Sequence, residues 1–422
     1  MSFKIFNTES FQKGVSSSNI SGGGGSGEDD SKFVYEIGED KTYTTIQSAI
    51  DQYNIDRPVT VYGITGSPLL IDRLTAIFKI YPGQYKENIS IPLRYSFLKF
   101  IGVDWSRPNV DNPVWFEGTV TVVPDSNPYI PDGGPPLYNG QVIFENISFI
   151  HTSVQTENTI IIPNYEGGSD VGIEIEFERC YIRNQNITLG DNNEHSYKGC
   201  YLINSKIVSD GSSNAYKTRL NFSNTTLDSF TIGDNKIRNL NINDCEISRP
   251  TDPIKISGVC DIKNSIIKQE SSFSTFTFDK AINDLDSIVT PTLNIYNSNI
   301  IYLTNDTFID INETGYNGIY IININNNVIT NSGDTNPVPL MILDNNSSPT
   351  DDSTVTFINN TIINNDSTTT YNIIETEESY PSGGNLTVFY SSNILSRGVA
   401  ATIFKPGSST KITLTPGVTV TA

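Results

Sequence analysis

Positive charge, histidine and long apolar runs are scarce in this 422-residue sequence. The 47 Asp and Glu residues outnumber the 27 Lys and Arg residues, which gives a formal net charge of −20. No local cluster of Lys or Arg offsets this excess. Because such a surface repels nucleic-acid phosphates, we expect no nucleic-acid partner. The sequence has no run of 18 apolar residues, so we expect no insertion into a membrane.

Cysteine and histidine are too few and too widely spaced to suggest a metal site. The chain has four Cys and two His, and no two cysteines are spaced as Cys-x-x-Cys. We therefore predict no metal ion and no other cofactor. The start of the chain, from Met1 to Gly14, lacks the apolar core of a secretory signal, so we expect synthesis in the cytoplasm and reduced, buried cysteines.

Asparagine is abundant, with 46 residues, and it accompanies many Ser, Thr, Ile and Tyr residues, a composition typical of β-structure. From residue 140 onward a motif recurs: an apolar residue, a residue that is most often Asn two places later, and another apolar residue three places after that. The ten copies begin at Phe144, Phe177, Leu202, Phe222, Ile242, Ile262, Ile295, Ile324, Phe357 and Phe389. The asparagines are Asn146, Asn204, Asn224, Asn264, Asn297, Asn326 and Asn359.

Each copy predicts a strand, a bend and a second strand. Asn suits the bend because it tolerates a left-handed backbone, and we expect the seven asparagines to form a structural ladder. Repeats of 20–33 residues with this pattern indicate an all-β fold, a parallel β-helix in which one chain winds as a solenoid. A β-sandwich would also have short strands, but it does not predict a motif at fixed offsets. The alignment places Cys180 and Cys245 after the bend, and Cys200 and Cys260 before it.

The pattern divides the chain into four segments. Residues 1–31 are predicted to be a flexible arm, because a Gly/Ser run follows a weakly apolar start. Its candidates for docking on a partner are Phe3, Ile5, Phe6 and Phe11. The other segments are the N-terminal cap and first β-coils at 32–110, the β-helix repeats with loop insertions at 111–398, and one or more C-terminal cap strands at 399–422.

The segment after the arm resembles the start of pectinesterases and other pectin-lyase-like proteins, which implies that the parallel β-helix is right-handed. The resemblance rests on Tyr43-Thr-Thr-Ile-Gln-Ser-Ala-Ile-Asp51, on Ile80-Tyr-Pro-Gly-Gln-Tyr-Lys-Glu-Asn-Ile-Ser-Ile91 and on Phe100-Ile-Gly102. It implies a short capping helix followed by the first coils. The catalytic motifs of pectinesterases and polygalacturonases are absent from this sequence, so the resemblance supplies no catalytic residue.

The residues give weak signals for an active site. Asp170, Glu174, Glu176 and Glu178 form the densest acidic cluster, which we interpret as a solvated outer stripe rather than a catalytic or cation site. We expect His151 and His195 to lie at the surface or in turns. The insertions Asp125–Gly140, Glu270–Pro291 and Asn364–Gly384 carry aromatic residues that would suit contacts with sugars or proteins.

Three functions fit these observations. The first is a non-enzymatic structural or attachment component of a virus particle, such as a capsid-associated, fibre or spike protein, because a rigid rod follows a tethered arm. It predicts location in the virion, other virion proteins as partners of the arm, and a trimer by analogy with viral spikes. The second is a polysaccharide lyase or hydrolase, including a tailspike depolymerase that cleaves host glycan. The third is an adhesin that binds host-surface glycan without cleaving it.

Overall fold

A computed structural model provides the structure of the protein. Nearly all of the residues that it describes belong to one compact unit, which begins at Val34. The described ranges are 33–56, 74–93, 96–104, 113–124, 140–162, 173–190, 193–209, 218–233, 237–270, 272–278, 282–283, 288–302, 306–311, 318–331, 339–343, 353–364, 372–376, 386–396, 402–405, 412–416 and 420–421.

Parallel strands from successive turns of the chain stack into long sheets. Sheet A has 14 strands: Val34–Ile37, Leu74–Ile80, Ser96–Gly102, Gln141–Glu145, Glu174–Glu178, Glu194–Lys198, Thr218–Ser223, Ile237–Asn243, Val259–Lys263, Thr292–Tyr296, Ile321–Asn325, Ser353–Ile358, Leu386–Ser391 and Ile412–Pro416. Sheet B has 13 strands: Gly83–Lys86, Val114–Glu117, Ser148–Ile150, Tyr181–Arg183, Tyr201–Ile203, Thr226–Asp228, Glu246–Ser248, Ile266–Gln269, Asn299–Tyr302, Val328–Asn331, Thr361–Asn364, Ile394–Ser396 and Val420–Thr421.

Two shorter sheets divide the third side of the coil between the two halves of the chain. Sheet C belongs to the N-terminal half: Ile89–Leu93, Val120–Pro124, Ile160–Ile161, Asn186–Leu189, Lys206–Ser209 and Thr231–Gly233. Sheet D belongs to the C-terminal half: Ile254–Ile256, Phe276–Phe278, Ile309–Asp310, Met341–Leu343, Asn372–Thr376 and Thr402–Lys405. An antiparallel hairpin pairs Ile282–Asn283 with Ile288–Val289. This topology confirms the predicted parallel β-helix.

One helix, Ile46–Asp56, covers the first coils. Its buried residues are Ile46, Ala49, Ile50 and Tyr53, which recur at helical spacing and pack into the core. The carboxylate of Glu87 accepts the backbone N–H groups of Ile46 and Gln47 at 2.8 and 3.0 Å. These two groups have no partner inside the helix, and a negative charge is favourable at a helix N-terminus. Among the described residues, no helix has the length and apolar character needed to cross a membrane.

Aromatic side chains stack in the core of the N-terminal half. Six rings in register on sheet A lie with centroids 4.5–5.3 Å apart: Phe78, Phe100, Phe144, Phe177, Tyr197 and Phe222. In the next four coils the same column contains Ile242, Ile262, Ile295 and Ile324. We call this column of inward residues the core column. In-register stacking explains why it can hold aromatic residues over many coils, because each ring packs on the ring below it.

The bend from sheet A to sheet B takes two residues in each coil from Gln141–Glu145 to Leu386–Ser391. The first has a left-handed backbone, with φ of 49° at Asn224 and 52° at Asn264, and in one coil it is Gly199 with φ of 62°. The second is buried. Its members are Ile147, Cys180, Cys200, Thr225, Cys245, Ser265, Ser298, Asn327, Asn360 and Asn393. We call this column the buried ladder.

Hydrogen bonds join the buried ladder from coil to coil. In the last coils Asn360 Oδ1 accepts the backbone N–H of Asn327 at 3.0 Å and its Nδ2 at 3.1 Å. The Nδ2 of Asn360 donates to the carbonyl of Ile324 at 2.8 Å and to Asn393 Oδ1 at 3.1 Å. The ladder therefore satisfies backbone groups that the bend leaves outside the sheets.

Two copies of the repeat have a different register from the predicted one. Phe177 pairs with Tyr197 rather than with Leu202, which lies in sheet B, and Phe357 pairs with Tyr390 rather than with Phe389. Leu202 looks equivalent in the sequence because it is also apolar and follows Tyr197 closely. Cys200 consequently lies after the bend, in the buried ladder, and not before it.

Candidate functional site

The sequence analysis predicted two sets of functional or structural residues, the docking candidates of the arm and the asparagine ladder. Phe3, Ile5, Phe6 and Phe11 lie outside the described residues. Six of the seven asparagines occupy the left-handed position between sheets A and B. The seventh, Asn204, has φ of 49° at the corner from sheet B to sheet C. Asn224, Asn264, Asn297, Asn326 and Asn359 are exposed, so the buried ladder lies one residue later than these side chains.

The three glutamates of the predicted acidic cluster lie on the outer side of sheet A, and two of them form ion pairs. Glu176 pairs with Lys198 at 2.8 Å, and Glu178 pairs with Arg179 at 2.6 Å. Glu174 is exposed, and Asp170 lies outside the described residues. These acids face basic partners along a solvated sheet, which agrees with their interpretation as an outer stripe.

His195 differs from the sequence expectation because it is fully buried and not at the surface. It lies in register with Ile175 and Leu220, on the inner face of sheet A. Neither ring nitrogen has a hydrogen-bond partner among the described residues. Burial lowers the pKa of His195 to about 3, so the ring is neutral at physiological pH. This histidine is a core residue of the N-terminal half.

Two of the three aromatic residues of the predicted insertion after residue 270 turn inward, and the third, Phe273, is half-buried. Phe276 and Phe278 form a strand of sheet D, and both are fully buried in the core. They are therefore not available for contacts with sugars. The segment Asp125–Gly140 lies almost entirely outside the described residues, as do Tyr371 and Tyr380 of the third insertion.

Corner length distinguishes the surroundings of sheet D from those of sheet C. Sheet B connects to sheet C through two residues in five coils, as between Arg183 and Asn186, and through a longer segment after Ile150. Sheet B connects to sheet D through five to nine residues in every coil. Beyond sheet D, nine to thirteen residues lead back to sheet A after each strand from Phe276–Phe278 to Asn372–Thr376. Long connections on both sides of one sheet are where β-solenoids most often build binding sites.

A column of outward side chains runs along sheet D between these connections. The strand register aligns Lys255, Thr277, Asp310, Ile342 and Glu375. Their strand neighbours Ile309 and Ile374 are fully buried, so Asp310 and Glu375 face outward, and each of these two acids is half-buried. We call this set the sheet D column.

The two acids of the sheet D column are separated by one rung, at Ile342. Because stacked strands lie about 4.8 Å apart, the Cα atoms of Asp310 and Glu375 are about 9.6 Å apart. Two carboxyl groups roughly 6.5–9.5 Å apart leave room for a sugar and a water molecule, and this is the arrangement of glycosidases that invert the anomeric centre. Adjacent rungs would bring two carboxylates closer to the roughly 5–5.5 Å of retaining enzymes.

No sequence motif marks these two acids. Asp310 and Glu375 are distant in the chain, and the two apolar residues before each of them, Phe308-Ile309 and Ile373-Ile374, form a pattern that is common in this sequence. The signal that could have found them is the strand register of sheet D. Within the described ranges, no group of three or more His, Cys, Asp or Glu side chains is placed to hold a metal ion.

No protein-family model and no curated protein matches the chain. Solved structures with a similar fold include the catalytic unit of a GH87 α-1,3-glucanase from Streptomyces thermodiastaticus, with a TM-score of 0.38 and 12% identity over 82% of this chain. This chain spans 63% of that unit's length. The mannuronan C-5 epimerase AlgE6 A-module of Azotobacter vinelandii has a TM-score of 0.37 and 10% identity, over 89% of this chain and 94% of that module.

A surface adhesin of Streptococcus pneumoniae, PfbA, is a third similar structure. It has a TM-score of 0.28 and 10% identity, over 87% of this chain and 88% of the adhesin. At this level of identity the likeness goes no further than the fold, and the parallel β-helix is shown by the strand pairing of this chain itself. A fold alone does not determine function, so the function has to be argued from the residues of this chain.

Proposed function

We propose that the protein is a polysaccharide hydrolase that inverts the anomeric centre, with Asp310 and Glu375 as its two catalytic acids. The observation that supports this proposal is their position on one outward column, two rungs apart. One carboxyl group acts as the acid that protonates the leaving oxygen, and the other acts as the base that activates water.

The shape of the surface favours a polymer as the substrate. The sheet D column is a line of side chains along the stacking direction, and the rung spacing is close to the length of one sugar residue in an extended glycan. Thr277, on the rung before Asp310, is fully buried, so the accessible part of the column consists of Asp310, Ile342 and Glu375, which are each half-buried. A chain of sugars can therefore lie along the column with one glycosidic bond between the acids.

The test is product formation from a panel of neutral and acidic polysaccharides, measured as new reducing ends. We expect the wild-type protein to cleave at least one glycan, and Asp310→Asn and Glu375→Gln to lower kcat by about 10²–10⁴-fold. Glu176→Gln on sheet A is the matched control, because it removes an outward carboxylate far from the sheet D column in the coil. It should retain wild-type activity.

Three outcomes would contradict the proposal. Unsaturated products, seen by ultraviolet absorbance, would indicate a lyase instead of a hydrolase. Binding of a glycan without any cleavage would indicate an adhesin. Equal activity of the wild type and the two amide variants would remove Asp310 and Glu375 from the reaction.

Attachment to a virus particle stays a prediction for the arm at residues 1–31, which includes Phe3, Ile5, Phe6 and Phe11. The hydrolase proposal is compatible with that location, because a particle-borne depolymerase would combine both roles. Incorporation of the full chain and of a chain lacking residues 1–31 into particles would test it. Equal incorporation of both would contradict a docking role for the arm.

A further inference from the structure

The accessible part of the sheet D column begins at Asp310. Thr277 stands one rung earlier and alternates with the core residues Phe276 and Phe278, so its side chain lies on the outer face of sheet D. Although it faces outward, Thr277 is 0% exposed. Other parts of the protein therefore cover the column at this rung, whereas Asp310 on the next rung is only half-buried.

The cover is local, because the column is accessible on both sides of Thr277. Lys255, which pairs with Thr277 from the preceding strand, is exposed. On the other side, the three members from Asp310 to Glu375 are half-buried, and sheet D continues to Lys405, in register with Glu375. A glycan that lies over the two acids thus meets the cover at one end and a further strand of the sheet at the other.

A buried amide ties together the two corners at this step. Gln269 is 0% exposed, and its Nε2 lies 3.1 Å from the carbonyl oxygen of Phe273, in the corner that leads to the covered rung. The same nitrogen lies 3.2 and 3.1 Å from the carbonyl oxygens of Asp306 and Thr307, in the corner that leads to the next rung. Because buried hydrogen bonds are costly to break, they hold the two rungs in a fixed relation.

The spacing of the rungs limits how far a glycan can extend towards the cover. In the proposed function the cleaved bond lies between the two acids, at the rung of Ile342. Thr277 is two rungs away from Ile342, or about 9.6 Å. The cover takes the last of these rungs, so the rung of Asp310 is the one that remains. One sugar residue is about as long as one rung, so a single sugar fits on this side of the cleaved bond.

We propose that the protein binds an end of the glycan and releases single sugars from it, instead of cutting within the chain. This inference rests on the proposed hydrolase function and specifies the substrate as a glycan with a free chain end. The terminal sugar lies on the rung of Asp310, against the cover at Thr277, and the rest of the glycan extends over Glu375. Each turnover consumes one water molecule: its oxygen bonds to the anomeric carbon, the bond to the glycosidic oxygen breaks, and the proton lost by the water balances the proton gained by that oxygen.

The size of the first products tests this inference, on whichever polysaccharide of the panel the wild type cleaves fastest. We expect mass spectrometry at low conversion to show a monosaccharide as the released product, and the viscosity of the solution to fall slowly while reducing ends accumulate. Oligosaccharides among the first products, with a rapid fall in viscosity, would overturn the inference and leave the hydrolase proposal intact. Cleavage of no polysaccharide in the panel would contradict both.

Two tryptophan variants of the full-length chain test where the glycan ends. Ile342→Trp places a large ring between the acids, and we expect kcat/KM to fall by about 10²-fold. Lys255→Trp is the matched control, because it places the same ring beyond the cover, where we expect wild-type kcat and KM. Circular dichroism and Tm verify that each variant is folded.

A rise in KM for a folded Lys255→Trp variant would show that the glycan crosses the rung of Thr277, and it would overturn the inference. Wild-type kcat/KM in a folded Ile342→Trp variant would show that the glycan does not lie over the column, which contradicts the hydrolase site as well. Unchanged kinetics of Lys255→Trp together with a monosaccharide product support binding at a chain end.

Discussion

The two halves of the β-helix build the same coil with different core residues and different corner lengths. In the N-terminal half, up to Gly233, most corners to sheet C have two residues, the core column is aromatic, and ion pairs line the outside of sheet A. In the C-terminal half the core column becomes mainly isoleucine, the buried ladder ends in asparagine, and the corners beside sheet D lengthen. The acid pair lies where the corners are long. From this comparison we infer that short corners give a regular coil and that long connections supply the residues of a binding site.

The largest expected effect on stability comes from removing one ring of the aromatic stack in the N-terminal half. Phe177 lies between Phe144 and Tyr197, with ring centroids 5.3 and 5.0 Å away. We expect Phe177→Ala to lower the free energy of unfolding by about 3–5 kcal/mol, because it leaves a cavity and breaks two stacked pairs. Urea unfolding followed by circular dichroism measures it. A loss below about 1 kcal/mol would contradict a core held by the stack.

The next effect separates the buried ladder from the exposed bend in the C-terminal half. Asn360→Ala leaves the N–H of Asn327 and the carbonyl of Ile324 without these partners, so we expect a loss of about 3 kcal/mol. The neighbouring Asn359→Ala is the control. It changes an exposed side chain at φ of 57° and should cost about 1 kcal/mol through backbone strain. Equal losses for the two variants would contradict the assignment of the ladder to the second bend residue.

The smallest of the three effects appears at acid pH in the N-terminal half. The pKa of His195 is about 3 in the folded protein and about 6.5 in an unfolded chain, so the unfolded state binds more protons between these values. Stability is therefore unaffected above about pH 6.5 and falls by about 1.4 kcal/mol per pH unit below it, which amounts to about 2 kcal/mol at pH 5.

His195→Leu tests this pH dependence because leucine matches the neighbouring Leu220 and does not titrate. We expect the variant to lose less stability than the wild type between pH 7 and pH 5. His151→Leu is the control, since His151 is only partly buried and lies outside the sheet A core. Parallel pH curves for the wild type and His195→Leu would contradict a neutral buried histidine.

The fold was predictable from the sequence because a left-handed bend and two inward strands recur at fixed offsets in most coils. The predicted register was wrong at two positions, Tyr197 and Tyr390. At the first of them the strand contains His195 and Tyr197, so its sequence resembles that of an exposed strand although it lies in the core. The acid pair could not be predicted for a different reason. The chain takes a longer path from Phe357 to Glu375 than from Ile242 to Lys255, although both stretches lead from the core column to the sheet D column. Because the corners differ in length from coil to coil, the sequence spacing does not show which residues align in the sheet D column. The strand pairing is needed to align them.

The configuration of the first product tests the central claim most directly. Proton NMR of the wild-type reaction, recorded before mutarotation, shows whether the new reducing end has the opposite anomeric form from the bond that was cleaved. The two-rung separation of Asp310 and Glu375 predicts inversion. Retention of configuration, or an unsaturated product, would contradict the assignment of these two acids as an inverting pair.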